Sequence, residues 1–237
     1  DLAKLQLNEG LQIIGEGAFH SCKALRSVTI PPTVTEWGKG SFHGCINLSG
    51  VQLNEGLHVI GDEVFRNCKA LRSVTIPSTV TELGSCAFLC CSNLSEVQFN
   101  EGLQVIGKGA FKDCIALRSV TIPSSVTKLY SGEFFGCKKL AELHLNDGLQ
   151  IIGDSAFEYC RALRSVATPS TVTKLGTYAF GDCRSLVEVQ LNEGLKLIGG
   201  GAFQNCKSLR SVTLPSTVTE LDEWAFRACS SLTEVKL

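Results

Sequence analysis

The chain has 237 residues and a formal net charge of −1, and its Lys and Arg residues are interspersed with Asp and Glu along the sequence. A nucleic-acid-binding protein usually carries a basic stripe, so this balance argues against a nucleic-acid partner. No apolar run approaches the roughly 18 residues that would predict a membrane span.

One short motif organises the sequence. Ala-Phe-x-x-Cys-x-x-Leu, first seen at residues 18–25, returns every 23 residues. A fixed period of this length indicates a solenoid, in which stacked repeats replace a single compact core. The cysteines of the motif are Cys22, Cys45, Cys68, Cys91, Cys114, Cys137, Cys160, Cys183, Cys206 and Cys229. Each follows a phenylalanine by three residues, and these are Phe19, Phe42, Phe65, Phe88, Phe111, Phe134, Phe157, Phe180, Phe203 and Phe226.

The residues after each cysteine predict a strand. Val28 and Ile30 alternate with Ser27 and Thr29, which is the period of a half-buried strand. The same pattern recurs from residues 2–7 to residues 231–237, so we predict about 11 parallel strands, spaced about 4.8 Å apart. Thr168 places a hydroxyl where the other copies are apolar, and Thr168→Ile is therefore expected to stabilise the protein.

The remainder of each repeat predicts a return path. A Pro or an Asn ends each strand. A second inward pair follows, such as Val34 and Trp37, and then a near-regular glycine that Tyr130 and Asp222 interrupt. The spacing of three in Ala-Phe-x-x-Cys predicts one short helical or 3₁₀ turn on the convex side, with Phe and Cys pointing inward.

The repeated Cys-x-x-Leu-x-x-Val-x-Ile-Pro-x-x-Val-x-x-Leu-Gly-x-x-Ala-Phe resembles the leucine-rich repeats of the BspA-like class. The resemblance covers essentially the whole chain. It implies an α/β fold, namely a right-handed solenoid with a concave parallel sheet and short helical turns on the convex side. It also implies a cell-surface or secreted protein that binds other macromolecules, although a cytoplasmic location stays open. We expect residues 1–237 to form a single array of ten repeats, and to be a segment of a longer array.

The true period is 46 residues, because Asn-Glu-Gly-Leu blocks alternate with Pro-Ser-Thr-Val blocks. Arg occupies alternate strands, as at Arg72 and Arg118, and Glu occupies the strands between them, as at Glu96. Identical groups then recur about every 9.6 Å, which is twice the strand spacing. This pattern fits recognition of a ligand with a similar repeat. Simple duplication of a two-repeat unit, in which the Arg and Glu rows form ion pairs, explains it more simply.

The cysteine column allows two interpretations. Stacked cysteines have Cα atoms close enough for disulfides, but their parallel Cβ vectors favour buried free thiols. Cys86 and Cys90 lie off the column at positions that elsewhere hold residues such as Gly17 or Asp113. We interpret them as ordinary substitutions, with a local disulfide or an exposed reactive thiol as the alternative. A metal site is not expected, because single cysteines in a row offer no tetrahedral ligand set.

The sequence predicts no enzyme and no cofactor. No nucleophile, base and orienting residue are brought together by the spacing. Glu96, Glu142 and Glu188 would stand about 10 Å apart, outside the separation usual for glycosidases, so we interpret them as a solvated row. An ice-binding array built on pairs such as Thr79 and Thr81 would need a continuous threonine surface, which the doubled period interrupts.

Two features suggest glycosylation of a secreted protein. Asn47-Leu48-Ser49 and Asn93-Leu94-Ser95 are acceptor sequons 46 residues apart, and both asparagines should face water. The threonine-rich loops at residues 77–81 and 215–219 resemble O-glycan acceptors. Chance explains the sequons equally simply, and ordinary turn chemistry explains the loops.

The leading prediction is recognition of a protein or glycan, or cell-surface adhesion, through the concave face. Side chains exposed by strand alternation form the predicted site: Arg72, Ser73, Thr75, Glu96, Gln98, Arg118, Ser119, Thr121, Glu142, His144, Arg164, Glu188 and Gln190. The second hypothesis is a structural protein whose copies join head to tail into an extracellular fibre or coat. An intracellular scaffold is the third.

Overall fold

The structure is a computed structural model that describes residues 3–236. These residues form a stack of turns in which every strand pair is parallel and offset by 23 residues. The strands are β1 (Lys4–Gln6), β2 (Ile13–Ile14), β3 (Ser27–Thr29), β4 (Glu36–Trp37), β5 (Gly50–Gln52), β6 (Val59–Ile60), β7 (Ser73–Thr75), β8 (Glu82–Leu83), β9 (Glu96–Gln98), β10 (Val105–Ile106), β11 (Ser119–Ile122), β12 (Glu142–Leu145), β13 (Ile151–Ile152), β14 (Ser165–Ala167), β15 (Lys174–Leu175), β16 (Glu188–Gln190), β17 (Leu197–Ile198), β18 (Ser211–Thr213), β19 (Glu220–Leu221) and β20 (Glu234–Lys236).

Two series of strands alternate along the chain. The first series, of three or four residues each, occupies the predicted strand positions and forms the predicted concave face. The prediction of one sheet of about 11 strands is wrong, because pairing divides this series into β1-β3-β5, β7-β9, β11-β12, β14-β16 and β18-β20. The second series consists of two-residue strands in the sheets β2-β4, β6-β8-β10 and β13-β15-β17-β19. The repeat pattern predicted only a return path here and no strands. Leu2 and Leu237 of the predicted strand columns lie outside the described residues.

The breaks in the first series follow the prolines. Each break falls between a strand followed by Asn and a later strand followed by Pro, for example between β5 and β7, which Pro77 follows. Proline lacks the N–H that would donate back to the preceding turn, so pairing on that side loses a hydrogen bond. From β3 onward the doubled sequence period is therefore also a period of backbone pairing, whereas β1, which Asn8 follows, still pairs with β3, which Pro31 follows.

The turn side contains no helix anywhere in residues 3–236, so the predicted helical turns are wrong. In every repeat the residues five before and one before the column cysteine have positive φ, as Gly17 (60°) and Ser21 (58°) show. Two left-handed residues, four positions apart in each repeat, interrupt any right-handed helix on this side. The chain instead makes successive β-turns, and an all-β solenoid replaces the predicted α/β class.

Backbone hydrogen bonds also join neighbouring turns on this side. Gly17 N–H donates to Lys39 O at 3.0 Å, Phe19 N–H to Ser41 O at 2.7 Å, and Ser21 N–H to His43 O at 2.7 Å. The same pattern recurs along the solenoid. The turn side is therefore also bonded to its neighbour, which satisfies backbone groups that a loop would leave to water.

The core consists of stacked columns, as predicted. Eight phenylalanines of the motif, from Phe42 to Phe203, are fully buried, and Phe19 and Phe226 are half-buried at the two ends. Their ring centroids stand 5.0 to 5.8 Å apart with interplanar angles of 4 to 20°. Stacked rings at such separations attract one another beyond their burial, so the column stabilises turn-to-turn packing.

Thr168 contradicts the expectation that its hydroxyl is a defect. Its Oγ1 accepts hydrogen bonds from Asn192 N at 3.1 Å and Asn192 Nδ2 at 3.0 Å. The same hydroxyl lies 3.4 Å from Gln190 O, to which it donates. Because these partners lie in the next turn, the hydroxyl ties two turns together, and the expected stabilisation by isoleucine is reversed.

The repeat that contains Cys137 departs from the others on the side of the second strand series. Tyr130 replaces the near-regular glycine, and only isolated bridges at Lys128 and Ser131 continue the ladder. The carboxylate of Glu133, which is fully buried where other repeats carry a small side chain, compensates for this change. Its Oε1 accepts from Tyr130 N at 2.6 Å and from Ser131 N at 2.8 Å, while no partner reaches Oε2 among the described residues.

Candidate functional site: the concave face

The first strand series displays the predicted site. Val74, Val97 and Val120 point inward, and the residues that flank them are exposed. All thirteen predicted side chains are exposed: Arg72, Ser73, Thr75, Glu96, Gln98, Arg118, Ser119, Thr121, Glu142, His144, Arg164, Glu188 and Gln190. The parallel register places equivalent residues side by side, for instance Ser73 beside Glu96 and Thr75 beside Gln98. Strand alternation therefore located these side chains correctly, while their role in binding stays a prediction.

Hydrogen bonds between side chains order parts of this face. Thr75 Oγ1 donates to Gln98 Oε1 at 3.2 Å, and Gln98 Nε2 donates to Glu96 Oε1 at 3.1 Å. The equivalent pair in β16 has Gln190 Nε2 donating to Glu188 Oε1 at 2.7 Å. These bonds hold amides and carboxylates in a fixed orientation, which lowers the entropy lost when a ligand binds.

The predicted ion pairing between the Arg and Glu rows is absent from the described residues. Arg72, Arg118 and Arg164 form no salt bridge with Glu96, Glu142 or Glu188 in residues 3–236. Each guanidinium is exposed, so its five donors are available to a carboxylate, a sulfate or a carbonyl. Ion pairing between the two rows therefore does not explain why Arg and Glu alternate along the described residues.

Shallow recesses recur at the 46-residue period. One is lined by Gln52, Glu55, Ser73 and Thr75, and the next by Gln98, Glu101, Ser119 and Thr121. A third, nearer the start of the chain, has Gln6, Glu9 and Thr29 at the equivalent positions. The same donor and acceptor set is thus presented three times along the solenoid.

The acidic residue of each recess was missed in the sequence analysis. Glu55 and Glu101 follow the strands, where alternation no longer indicates a direction, and they were therefore left out of the predicted site. Glu55 Oε2 accepts from Ser78 N at 3.0 Å and from Ser78 Oγ at 2.6 Å, which fixes its position. The 46-residue recurrence of Glu after Asn was the signal that could have found them.

The predicted site contains one histidine and three carboxylates. His144 is exposed beside Thr121 in the parallel register. Among residues 3–236, no three His, Cys, Asp or Glu side chains converge as metal ligands. The concave face offers exposed hydroxyl, amide, carboxylate and guanidinium groups to a ligand.

The cysteines of the motif are free thiols with a role that the sequence analysis missed. Nine of them, from Cys45 to Cys229, donate from Sγ to the carbonyl of the phenylalanine 26 residues earlier, at 3.1 to 3.4 Å. Burial raises the pKa of the Cys45 thiol to about 11, and it raises the pKa of Cys114 well above its ordinary value. From Cys45 to Cys229 the column is therefore held in the neutral thiol form and is a poor nucleophile.

Cys86 and Cys90 occupy the two left-handed positions of the repeat that contains Cys91, with φ of 57° and 61°. Both are half-buried and neither is in a disulfide. Burial is the main cause that raises the pKa of each thiol, and nearby carboxylates add to it. These surroundings favour the interpretation as substitutions over that of a reactive thiol.

The two sequon asparagines lie on the surface. Asn47 and Asn93 are both exposed, as expected for an acceptor. Asn47 Nδ2 donates to Lys23 O at 2.8 Å, a bond that a glycan would have to displace or retain. Glycosylation at these positions stays a prediction.

Comparisons with known proteins agree with the geometry. The sequence matches the family described as BspA type Leucine rich repeat region, in overlapping stretches at residues 1–117, 58–184 and 104–233. Comparison with curated proteins gave no match. Within the described residues there is no helix long and apolar enough to cross a membrane.

Solved structures share the fold over most of their length. A leucine-rich repeat protein from T. pallidum is 28% identical, with 78% of each chain covered and a TM-score of 0.62. One from Bacteroides ovatus is 24% identical over 99% of this chain and 80% of its own, with a TM-score of 0.60. A leucine-rich cell surface protein from Faecalibacterium prausnitzii is 22% identical over 98% of this chain and 78% of its own, with a TM-score of 0.58. The family match, the 23-residue turns and these structures together show that the chain belongs to the BspA-type leucine-rich repeat proteins.

Proposed function

We propose that this protein recognises another macromolecule, a protein or a glycan, through its concave face, at a cell surface or outside the cell and without catalysis. Leucine-rich repeat solenoids typically serve as extended binding surfaces rather than as enzymes. A structural relative carries the description of a cell surface protein, which supports the proposed location.

The observation that carries this proposal is the threefold recess. Gln98, Glu101 and Thr121 line the last of the three copies, and their equivalents recur 46 residues earlier and 92 residues earlier. Repetition multiplies weak polar contacts when a ligand is long enough to engage several copies, because later contacts are intramolecular. The unpaired Arg side chains beside the recesses add charged donors to each copy.

A blocking variant with a matched control tests this proposal. Thr75→Arg with Thr121→Arg places two long side chains over neighbouring recesses of the concave face. Thr81→Arg with Thr127→Arg makes the same chemical change at exposed threonines on the second-series side. The wild type and the two variants are then compared for binding to a glycan array and to a panel of purified extracellular-matrix proteins.

The expected result is a ligand that binds the wild type and the control but not the concave-face variant. Equal binding by both variants to every ligand found would reject the concave face as the site. Equal loss from both variants would show that the ligand responds to added charge and not to the recesses.

Assembly into an extracellular fibre or coat is the competing proposal, and an intracellular scaffold is the third. Light scattering over a concentration series separates the first two. A particle that stays monomeric at high concentration supports recognition, whereas steady growth in particle mass supports assembly. A glycan found on Asn47 or Asn93 by mass spectrometry of native material would add to the extracellular proposal.

A further inference from the structure

A basic edge runs along one side of the solenoid. It consists of the three exposed columns that flank the inward leucine, at the first, second and fourth positions after each column cysteine. Lys and Arg occupy twelve of these positions, out of 22 in the whole chain: Lys23, Arg26, Lys69, Arg72, Arg118, Lys138, Lys139, Arg161, Arg164, Arg184, Lys207 and Arg210. Among residues 3–236, none of these positions carries Asp or Glu.

The edge is most basic in the second half of the chain. Lys138, Arg161, Arg184 and Lys207 follow the cysteines of four successive turns. At a turn spacing of about 4.8 Å this row spans roughly 14 Å. The positions next to it are small in three of these turns, Ala162, Ser185 and Ser208, so the row stands beside a shallow ledge.

Most of these charges are available to a ligand. All twelve side chains are exposed. Within the described residues, Arg184 is the member of the edge with a salt bridge, to Asp182 at 2.8 Å. The chain is nearly neutral as a whole, so the edge is a local concentration of positive charge that net charge conceals.

The shape of the edge indicates a thin ligand. Acidic residues border it on both sides, with the exposed Glu142 and Glu188 on the concave face and the half-buried Glu158 on the turn side. The first two positions after each cysteine lie in a turn, closed for example by Leu25 N–H donating to Cys22 O at 3.0 Å, so the positive strip is narrower than the roughly 10 Å of three extended residues. A single flexible chain fits such a strip, whereas a membrane surface or a nucleic-acid duplex would also meet the acidic borders.

The edge lacks the feature that single-stranded nucleic acids require. Sequence-tolerant binding of bases uses exposed aromatic rings, and the three columns contain no aromatic residue within residues 3–236. The nearby Tyr159 ring is already engaged, with Arg161 at 5.7 Å from its centroid and Phe135 at 5.2 Å against it. Arg and Lys without stacking partners suit sulfate and carboxylate groups, which Arg can bind bidentately.

We propose that the basic edge binds an anionic polysaccharide, a chain that carries sulfate or carboxylate groups. The edge shares Arg72, Arg118 and Arg164 with the concave site, but the row after the cysteines is outside that site. The two proposals can therefore fail independently.

The experiment uses two variants that remove the same charge. Lys138→Gln, Arg161→Gln, Arg184→Gln and Lys207→Gln together neutralise the row, which changes the formal charge from −1 to −5 by the loss of four positive groups. The control combines Lys108→Gln, Lys128→Gln, Lys174→Gln and Lys196→Gln, four exposed lysines on the second-series side, with the same change of charge. The probes are heparin, hyaluronate and poly(dT), at about 50 mM and at about 200 mM salt.

The wild type should bind heparin or hyaluronate more tightly than poly(dT), with an affinity that falls as salt rises. The row variant should lose about tenfold or more in affinity, and the control variant should lose little, because local contacts and not net charge hold the ligand. Three results would overturn the proposal: no binding of either polysaccharide at low salt, equal losses in both variants, or binding of poly(dT) at least as tight as that of the polysaccharides.

Discussion

The buried columns and the turn-side columns of this solenoid obey different rules. Inside, the same side chain returns in every turn, so that Phe stacks on Phe and each thiol reaches a carbonyl of the preceding turn. On the turn side, the two left-handed positions hold Gly, Ser, Asn, Asp, Glu, Cys, Tyr, Trp or Ala, with φ always near 60°. The interior fixes the identity of a residue, whereas the turns fix only its backbone conformation. A repeat can therefore vary freely in chemistry on one surface without losing its fold.

The largest expected effect is loss of an interior ring. Phe111→Ala should lower the free energy of unfolding by about 3 to 5 kcal/mol, because the void lies between Phe88 and Phe134 and neither neighbour can close it. Urea unfolding followed by circular dichroism measures the loss. Phe135→Ala, the same change at a half-buried turn-side ring, should cost less than half as much. Similar losses in the two variants would erase the distinction between the columns.

The rule for the turns is tested by a β-branched residue. Cys90→Val should cost about 1 to 2 kcal/mol, because the second γ-carbon of the β-branched valine crowds the backbone at φ near 60°, where Cys and Asn have a single γ-atom. Cys90→Asn is the matched control, since Asn67 and Asn205 stand at equivalent positions, and it should be nearly neutral. If valine were tolerated as well as asparagine, backbone conformation would not be what the turns select.

Thr168 tests whether an interior position always favours an apolar side chain. Thr168→Ile should lower the unfolding free energy by about 1 kcal/mol, since Asn192 N–H and Nδ2 lose their acceptor. Thr213→Ile, at an exposed concave-face threonine, should stay within about 0.5 kcal/mol of the wild type. A raised melting temperature for Thr168→Ile would restore the interpretation of the hydroxyl as a defect.

Glu133 adds a pH dependence that the regular repeats lack. Burial raises the pKa of Glu133, although the amides of its own residue, Ser131 and Tyr130 donate to it. The unfolded chain releases this proton at lower pH than the folded chain, so Glu133 costs stability as pH rises through its folded-state pKa. The stability of Glu133→Gln relative to the wild type should therefore increase as pH rises above about 4, where the unfolded-state carboxyl begins to ionise. Thermal melts across that range measure it, with the exposed Glu82→Gln as control, and a constant difference would contradict the assignment.

The smallest effect should come from removing the backbone strain of one left-handed residue in a turn. Cys86→Gly removes a side chain from a left-handed backbone and should stabilise the protein by no more than about 1 kcal/mol, because glycine also gains entropy in the unfolded chain. Gly109 stands naturally at the equivalent position of the next repeat. A clear loss of stability would show that the Cys86 side chain makes a contact that outweighs the strain.

These two rules explain what the sequence could reveal. The Phe, Cys and Leu columns and the exposed concave residues were predictable, because identity or alternation recurs visibly at 23 residues. The helical turns were predicted wrongly, since a spacing of three suits successive β-turns as well as a helix, and only the φ values of residues such as Gly17 and Ser21 separate the two. The partner of Thr168 was hidden because it lies 24 residues away. The basic edge was missed because charge was followed along the chain and not down the columns.

The turn side, without helices, also sets the curvature of the array. Packed helices need about 8 to 10 Å between axes, so a helix in each repeat would spread successive turns apart on one side and bend the solenoid strongly. Here the Phe rings stack at 5.0 to 5.8 Å, close to the strand spacing of about 4.8 Å. The turn side is therefore only slightly thicker than the strand side, and we expect the array to curve much less than one with a helix in every repeat. A rod-like polymer can then stay in contact with many turns at once, whereas a compact, rounded partner can touch only a few.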